Sequence, residues 1–357
     1  MLDFLAQYGM FLAKTLTLVI GFVATFALLL SLLHREKSQE GTFEIVDIND
    51  RLDTLTESLT SETLPNKLHK AIQKARNKEK KQNNKSQKAA LKKAVRQETT
   101  LQIPENEHRL FVIRFDGDMR ASGVLELRET ITAILTTATP KDEVLVILES
   151  GGGFVHSYGL AASQLKRLRQ KNIPITVAID KLAASGGYLM ACVANTIIAA
   201  PFAIVGSIGV LGQMPNFNKL LTKHNIDFEQ QTAGQYKRTL TLFGKNTDKH
   251  RHKFQEELEE THQLFKDFIT AHRPSIDINK VATGEHWHAE RAFQDRLVDK
   301  IQTSDDFILE KYNAKVHIFE INYVTKQTLK ERLGLSLQNA LENSVLTFLN
   351  NAKHWRF

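Results

Sequence analysis

The sequence predicts an α/β fold of parallel strands joined by crossover helices, and three observations carry that expectation. From Arg109 onward, short runs rich in Val, Ile and Leu alternate with longer segments whose apolar residues recur at helical spacing. Strands that alternate with helices favour parallel pairing and right-handed crossovers. Small-residue turns, Ser150-Gly151-Gly152-Gly153 and Ser185-Gly186-Gly187, follow strand-like runs.

The elements follow in order. Arg109 to Phe115 reads as a strand, and Val124 to Ala138 as a helix with Val124, Leu125, Leu127, Ile131 and Ile134 on one side. Glu143 to Leu148 is the next strand, Ser157 to Arg169 a helix, and Pro174 to Ile179 a further strand. Ala183 to Ala194 reads as a buried helix and Thr196 to Ala200 as a strand. His250 to Arg273 is a long charged helix carrying Phe254, Leu258, Leu264, Phe265 and Phe268. The tail from Val316 holds a short strand and one or two helices, including Leu335 to Leu349. Leu182 to Gln213 is apolar enough to suggest a membrane span. Pro201 and the glycines Gly186, Gly187, Gly206 and Gly209 punctuate it, which favours a buried helix and strand.

Upstream lies a different kind of chain. Thr15 to Leu33 is 19 residues without a charge, close to the ~20 that cross a hydrocarbon core. A cleavable signal would have an apolar run of about 7–15 residues and a small-residue cleavage site. This run ends Ser31-Leu32-Leu33-His34-Arg35, so a retained anchor is expected. Residues 35–104 are polar and charged, with too few apolar side chains for a core, and read as a partly helical, mobile linker ending near Pro104. The organisation expected is an anchor over 1–34, a linker over 35–104, a catalytic domain over 105–310 and an extension over 311–357.

The net charge of +7 is local. Residues 67–96 hold twelve lysines and arginines against Glu79 alone, so the rest of the chain is net acidic. That segment lacks the aromatic side chains on which nucleic-acid bases stack, and no nucleic-acid partner is expected. The single cysteine, Cys192, excludes an intrachain disulfide and reads as a small buried hydrophobe. His250 and His252 are two apart, as are His286 and His288, whereas a helical metal pair prefers three or four. Neither a metal nor a cofactor is expected.

The chemistry centres on Ser185. It follows a strand-like run, sits among small residues and precedes two glycines that cost a helix ~1 kcal/mol each relative to alanine. A serine there could simply cap a helix. The glycines imply close backbone approach as well, and they place a hydroxyl beside free N–H groups that suit an anion. That is a hydrolase pattern, and it needs a base.

Several segments, in order, resemble the serine–lysine signal peptide peptidase family, most closely its SohB branch. They are Phe111 to Asp118, Val144 to Gly153, Ala183 to Tyr188, Gly206-Ser207-Ile208-Gly209-Val210, Gln235-Tyr236-Lys237 and Ala282-Thr283-Gly284-Glu285. The N-terminal apolar run and charged stretch are similar too. The resemblance implies a ClpP/crotonase-like fold and a serine endopeptidase acting on membrane-associated peptides. It implies Ser185 as nucleophile, Lys237 as general base, Ser207 orienting the lysine, and Gly152 and Gly186 as oxyanion donors. One residue departs from the pattern: Gly151 stands where the family usually has proline, which loosens the loop. The resemblance also implies a homo-oligomer, and the apolar tail residues Leu335, Leu337, Leu341, Val345, Leu346 and Leu349 agree with self-association.

Two other function classes fit less well. An acyl-CoA-processing crotonase-type enzyme would leave Ser185 and Lys237 without roles. A non-enzymatic membrane-tethered adaptor would use the Lys67–Arg96 segment to hold anionic lipid or RNA, a charge run that reads more simply as a solvated linker. A bacterial inner membrane is the expected location. Lys14 before the span, against Arg35 and Lys37 after it, leans toward a cytoplasmic catalytic domain. The family resemblance leans to the periplasm, which is the side expected here.

Overall fold

Strands and helices alternate along the chain from β1 (Thr42–Asp47) and α1 (Ile48–Thr63) through β2 (Arg109–Gly117), α2 (Val124–Thr137), β3 (Glu143–Ser150), α3 (Val155–Gln170) and β4 (Ile175–Ile179). Next come β5 (Leu182–Ala184), α4 (Gly186–Ala191), β6 (Thr196–Ala199), β7 (Ile204–Gly206), α5 (Asn218–Lys223), α6 (Asp248–His272) and α7 (Ile278–Val281). The series closes with β8 (His286–His288), α8 (Ala289–Gln294), β9 (Lys300–Ile301), α9 (Ser304–Asn313) and β10 (His317–Val324). This computed structural model describes residues 41–65, 67–75 and 108–325, with parts of a helix over 7–22 and a few positions between 78 and 85. The chain divides into two units, Met1–Thr42 with Thr325–Phe357, and Phe43–Val324. In the first, the described residues between 7 and 22 are helical.

The second unit is built on one sheet whose main path runs β1-β10-β2-β3-β4-β6-β9. The pairings from β10 through β9 are parallel, as crossover helices require. Apolar residues alternate and both faces are covered. Phe111, Ile113, Phe115, Val144, Val146 and Leu148 bury one face with Leu127, Ile131 and Ile134 of α2 and Ala161, Leu165 and Leu168 of α3. Leu110, Val112, Leu145, Ala178 and Ile198 bury the other with Ile48 and with Phe307 and Ile308 of α9.

The sheet branches at β3, and this positions the site. β3 pairs with β4 from Val144 to Ile147, then with β5 at Ser150↔Ala183. β5 continues into β7 through Ala184↔Gly206, and β7 pairs antiparallel with β8. The C-terminal ends of β2, β3, β5 and β7 therefore lie side by side, where loops of parallel sheets gather ligand-binding groups.

Three expectations change. Ala183 and Ala184 belong to a strand, and the helix after Ser185 spans only Gly186–Ala191. Their backbones pair with β3 and β7, which outweighs alanine's helix propensity. Within the stretch read as a linker, β1 and α1 join the sheet unit: Asn49 Nδ2 donates to the Val316 carbonyl at 2.9 Å, and Ile318 N–H to Asn49 Oδ1 at 2.7 Å. The strand expected in the tail is β10, and it lies inside the sheet between β1 and β2. Among the described residues no helix is long and apolar enough to cross a membrane. Most of the apolar run from Thr15 to Leu33 lies outside those residues, as do most of 67–96 and all of Leu335 to Leu349.

A buried ion pair closes the start of β2. Asp142, whose side chain is wholly buried, takes Arg109 Nη2 at 2.7 Å and Nε at 3.0 Å. It also accepts the Thr139 N–H at 2.7 Å. Burial alone would raise its pKa, but these hydrogen bonds and the Arg109 charge together hold it below the usual carboxylate value. A pKa lower in the folded chain than in the unfolded one contributes stability that is full above the unfolded value. That contribution is lost as pH falls through the folded one. Asp142→Asn is expected to cost roughly 3 kcal/mol at neutral pH and to flatten the acid limb of the stability profile. Urea unfolding from pH 7 down to pH 3 checks this; an unchanged acid limb would count against it.

Candidate active site

Ser185 occupies the sharp turn between β5 and α4. Its backbone has φ 52° and ψ −118°, a region that residues other than glycine rarely enter. Such a conformation costs of order 1–3 kcal/mol and persists only where neighbours over-determine it. Here they do: Ser185 N–H donates to the Gly206 carbonyl at 2.8 Å, and its own carbonyl accepts Leu189 N–H at 2.9 Å. The half-buried side chain is left outside both contacts. Its Oγ has no hydrogen-bond partner among the described residues.

The glycine turn after β3 presses against it. A Cβ on Gly152, whose φ is 84°, would lie 2.5 Å from the Gly186 nitrogen and 2.8 Å from Ser185 Cβ. A Cβ on Gly186 would strike the Tyr158 ring at 2.4 Å, and one on Gly187 the Ser150 carbonyl oxygen at 2.5 Å. These glycines are therefore needed for close approach. The Gly186 N–H heads α4 and has no intrahelical partner. The Gly152 N–H differs from expectation: it is already given to Ser150 Oγ at 3.0 Å. The turn curls the amide back onto the serine side chain two residues earlier.

The three glycines of the turn after β3 are not equivalent. A Cβ on Gly153 would sit 2.0 Å from the Met119 carbonyl oxygen, a backbone atom that cannot yield. A Cβ on Gly151 meets only Leu182 Cδ2 at 3.7 Å, and its φ lies outside the left-handed region. Gly151→Ala is expected to keep activity and add ~0.4–1 kcal/mol by restricting the unfolded chain. Gly153→Ala should destabilise strongly. Melting temperatures of the two variants side by side test the contrast.

Ser207 stands beside Ser185, because Ala184 and Gly206 are paired and each serine follows its strand. Ser207 also has a positive φ, 51°, and donates its N–H to the Glu285 carbonyl at 2.6 Å. Gly206, at φ 105°, lies under the Trp287 ring, which leaves no room for a side chain. Strand β8 thus braces the Ser207 turn.

Lys237 makes no hydrogen bond to Ser185 or Ser207 among the described residues. It lies exposed in a turn closed by its N–H to the Gly234 carbonyl at 3.2 Å. Its Nζ makes no hydrogen bond or ion pair among the described residues. The arm around it carries Leu211, Phe217, Leu220, Ile226, Phe228, Tyr236, Leu242 and Phe243, all exposed. Lys249 and Lys253 of α6 lie over the Tyr236 ring at 5.8 and 5.5 Å.

Sequence reasoning passed over Tyr158. It is wholly buried on α3, and its ring forms the floor under Gly186. The signal was present: Tyr158, Ala161, Ala162 and Leu165 form one apolar face, with small alanines beside the phenol. Cys192 is buried as expected, and burial pushes its thiol far above the usual range, so it stays a thiol.

A free serine hydroxyl on a strained strand-to-helix turn, flanked by glycine amides, is an arrangement that suits a hydrolase. The model of the peptidase family S49 N-terminal region matches residues 3–165, and the peptidase family S49 model matches residues 167–317. The chain belongs to peptidase family S49 and is a protease of the SohB type. It is similar to the "Probable protease SohB" of Haemophilus influenzae, 46% identical over 96% of each chain. It is also similar to the protein of that name from Buchnera aphidicola subsp. Acyrthosiphon pisum, 46% identical over 97% of each chain. The similarity to "Protease 4" of Haemophilus influenzae is narrower, 24% identical over 55% of this chain and 34% of that one.

Proposed function

We propose that the chain is a membrane-anchored serine endopeptidase that cleaves membrane-associated or signal peptides with a Ser185–Lys237 dyad. The observation that carries this reading is the strained Ser185 backbone with its free Oγ beside the Gly186 amide. Ser185 Oγ attacks the scissile carbonyl carbon while its proton passes to the neutral Lys237 amine. The developing oxyanion takes the Gly186 N–H, and the Gly152 N–H once Ser150 shares it. The lysine then returns the proton to the leaving amine, and water repeats the cycle on the acyl-enzyme. Ser207 Oγ, just past the end of β7 and beside the nucleophile's turn, orients the lysine amine.

A lysine serves as base only when desolvated. Within one chain Lys237 is exposed and its arm bears many exposed apolar side chains. We therefore read the active form as a homo-oligomer in which a second copy covers this arm. The uncharged run from Thr15 to Leu33 supports a membrane anchor. The family resemblance favours a bacterial inner membrane with the catalytic unit on the periplasmic side, against the lean of the flanking charges Lys14, Arg35 and Lys37. A serine-reactive fluorophosphonate tests the reading: labelling of Ser185 alone, located by peptide mass mapping, supports it. Hydrolysis that persists when Ser185 is fully labelled would sink it.

A further inference from the structure

Beneath the glycine turn lies a buried chain of polar groups. Tyr158 OH lies 2.7 Å from the Asp118 carbonyl oxygen and 2.5 Å from Ser150 Oγ. Ser150 Oγ reaches the Gly117 carbonyl at 3.1 Å and accepts the Gly152 N–H at 3.0 Å. Two hydroxyl hydrogens are available. Tyr158 can donate to Asp118 while Ser150 donates to the phenol oxygen, or Tyr158 can donate to Ser150 while Ser150 donates to Gly117. In either arrangement Ser150 keeps a lone pair for the Gly152 amide. Burial holds the phenol above its ordinary pKa, so it keeps its proton and remains a donor.

Each end of this chain is itself fixed. The Asp118 carboxylate accepts the Arg120 and Ser122 N–H groups at 3.0 and 2.8 Å, which locks the turn presenting the Asp118 carbonyl. The next residue, Met119, accepts the Phe154 N–H at 2.9 Å and packs against Gly153. The Tyr158 ring meanwhile bears on Gly186, the residue after Ser185. One side chain thus touches the loop after β2, the glycine turn after β3 and the first turn of α4.

We propose that Tyr158 is a positioning residue for the oxyanion site: its hydroxyl, through Ser150, sets the direction of the Gly152 amide while its ring sets the height of the Gly186 amide. The proposal rests on the Ser185 reading for its catalytic consequence. Its structural consequence stands apart, because it concerns the glycine turn itself. Tyr158→Phe keeps the ring and removes the link to Asp118 and Ser150, so the turn loosens without losing its floor.

A matched control exists in the same core. Tyr188 is also wholly buried, and its hydroxyl donates to the Leu297 carbonyl at 3.0 Å, away from the glycine turn. Tyr158→Phe and Tyr188→Phe therefore each delete one buried phenol hydrogen bond. The test measures amide hydrogen exchange over 117–119 and 150–154 in the full-length protein, together with kcat and KM on one peptide substrate. Tyr158→Phe is expected to speed exchange in both segments and lower kcat about tenfold with KM little changed. Tyr188→Phe should lose similar thermal stability with neither effect. Equal exchange and kcat in Tyr158→Phe and wild type, or equal losses in the two variants, would overturn the proposal. Loosened exchange without a fall in kcat would overturn its catalytic half. If Ser185→Ala hydrolyses as wild type does, the nucleophile reading fails, and the exchange data still judge whether Tyr158 holds the turn.

Discussion

Ser185→Ala is expected to lower kcat/KM for peptide hydrolysis on the order of 10⁴-fold or more, because the neighbouring Ser150 and Tyr158 hydroxyls are buried and already hydrogen-bonded. The fold should persist, since the change removes one free hydroxyl from a half-buried position. Ser185→Gly sharpens the result. At φ 52° a side chain is strained whatever its chemistry, and glycine relieves that strain. Ser185→Gly should therefore be inactive and yet more stable than wild type, by roughly 1 kcal/mol or more. Loss of activity with gain of stability marks a backbone held in an unfavourable state for function. An active Ser185→Ala, or a Ser185→Gly less stable than wild type, would contradict the assignment. Residual rate, fluorophosphonate labelling and urea midpoints supply the three readings.

Lys237→Arg is expected to lower kcat/KM on the order of 10²–10⁴-fold, the range removed with a general base. The guanidinium keeps the positive charge but stays protonated and cannot accept the Ser185 proton. On the proposed dyad the proton acceptor is an unprotonated amine, which arginine does not supply. Lys237→His should move what activity remains toward acid, because imidazole loses its proton at lower pH. Lys245 and Lys249 are controls that should tolerate alanine. The exposure of Lys237 in a single chain adds a second expectation. If another copy desolvates the lysine, activity per chain falls on dilution as the assembly dissociates, in step with the mass seen by light scattering. Full activity in Lys237→Arg would remove lysine from the mechanism. A monomer active at every concentration would remove the covering copy.

Parts of this site were legible in one dimension because the constraint is local. Gly186 and Gly187 follow Ser185 directly, and no side chain fits beside the Tyr158 ring and the Ser150 carbonyl. The need for glycine shows in the sequence even though the neighbours that impose it do not. Gly151, which departs from the family pattern, proves to be the glycine whose Cβ would meet little. Other parts were not legible because they depend on distant partners. The Gly152 amide looked free, but its acceptor is a side chain two residues back, held by a phenol on the next helix. Ala183 and Ala184 carry a helix former's propensity, and only two flanking backbones make them a strand.

The sequence by itself determined the α/β class, the places of β2, β3, β4 and β6, the serine ahead of two glycines and the family. A strand buried on both faces and a helix buried on one write their periods directly into the order of apolar residues. Only the tertiary structure decided which strand lies beside which. It placed β10, from the C-terminal part of the chain, between β1 and β2, and it split β3 between β4 and β5. The reason is that apolar patterning states which side chains are buried, whereas sheet partners are chosen through backbone N–H and C=O groups that every residue but proline shares. The meeting of the Gly152 and Ser185 turns follows from that choice, and so does the site.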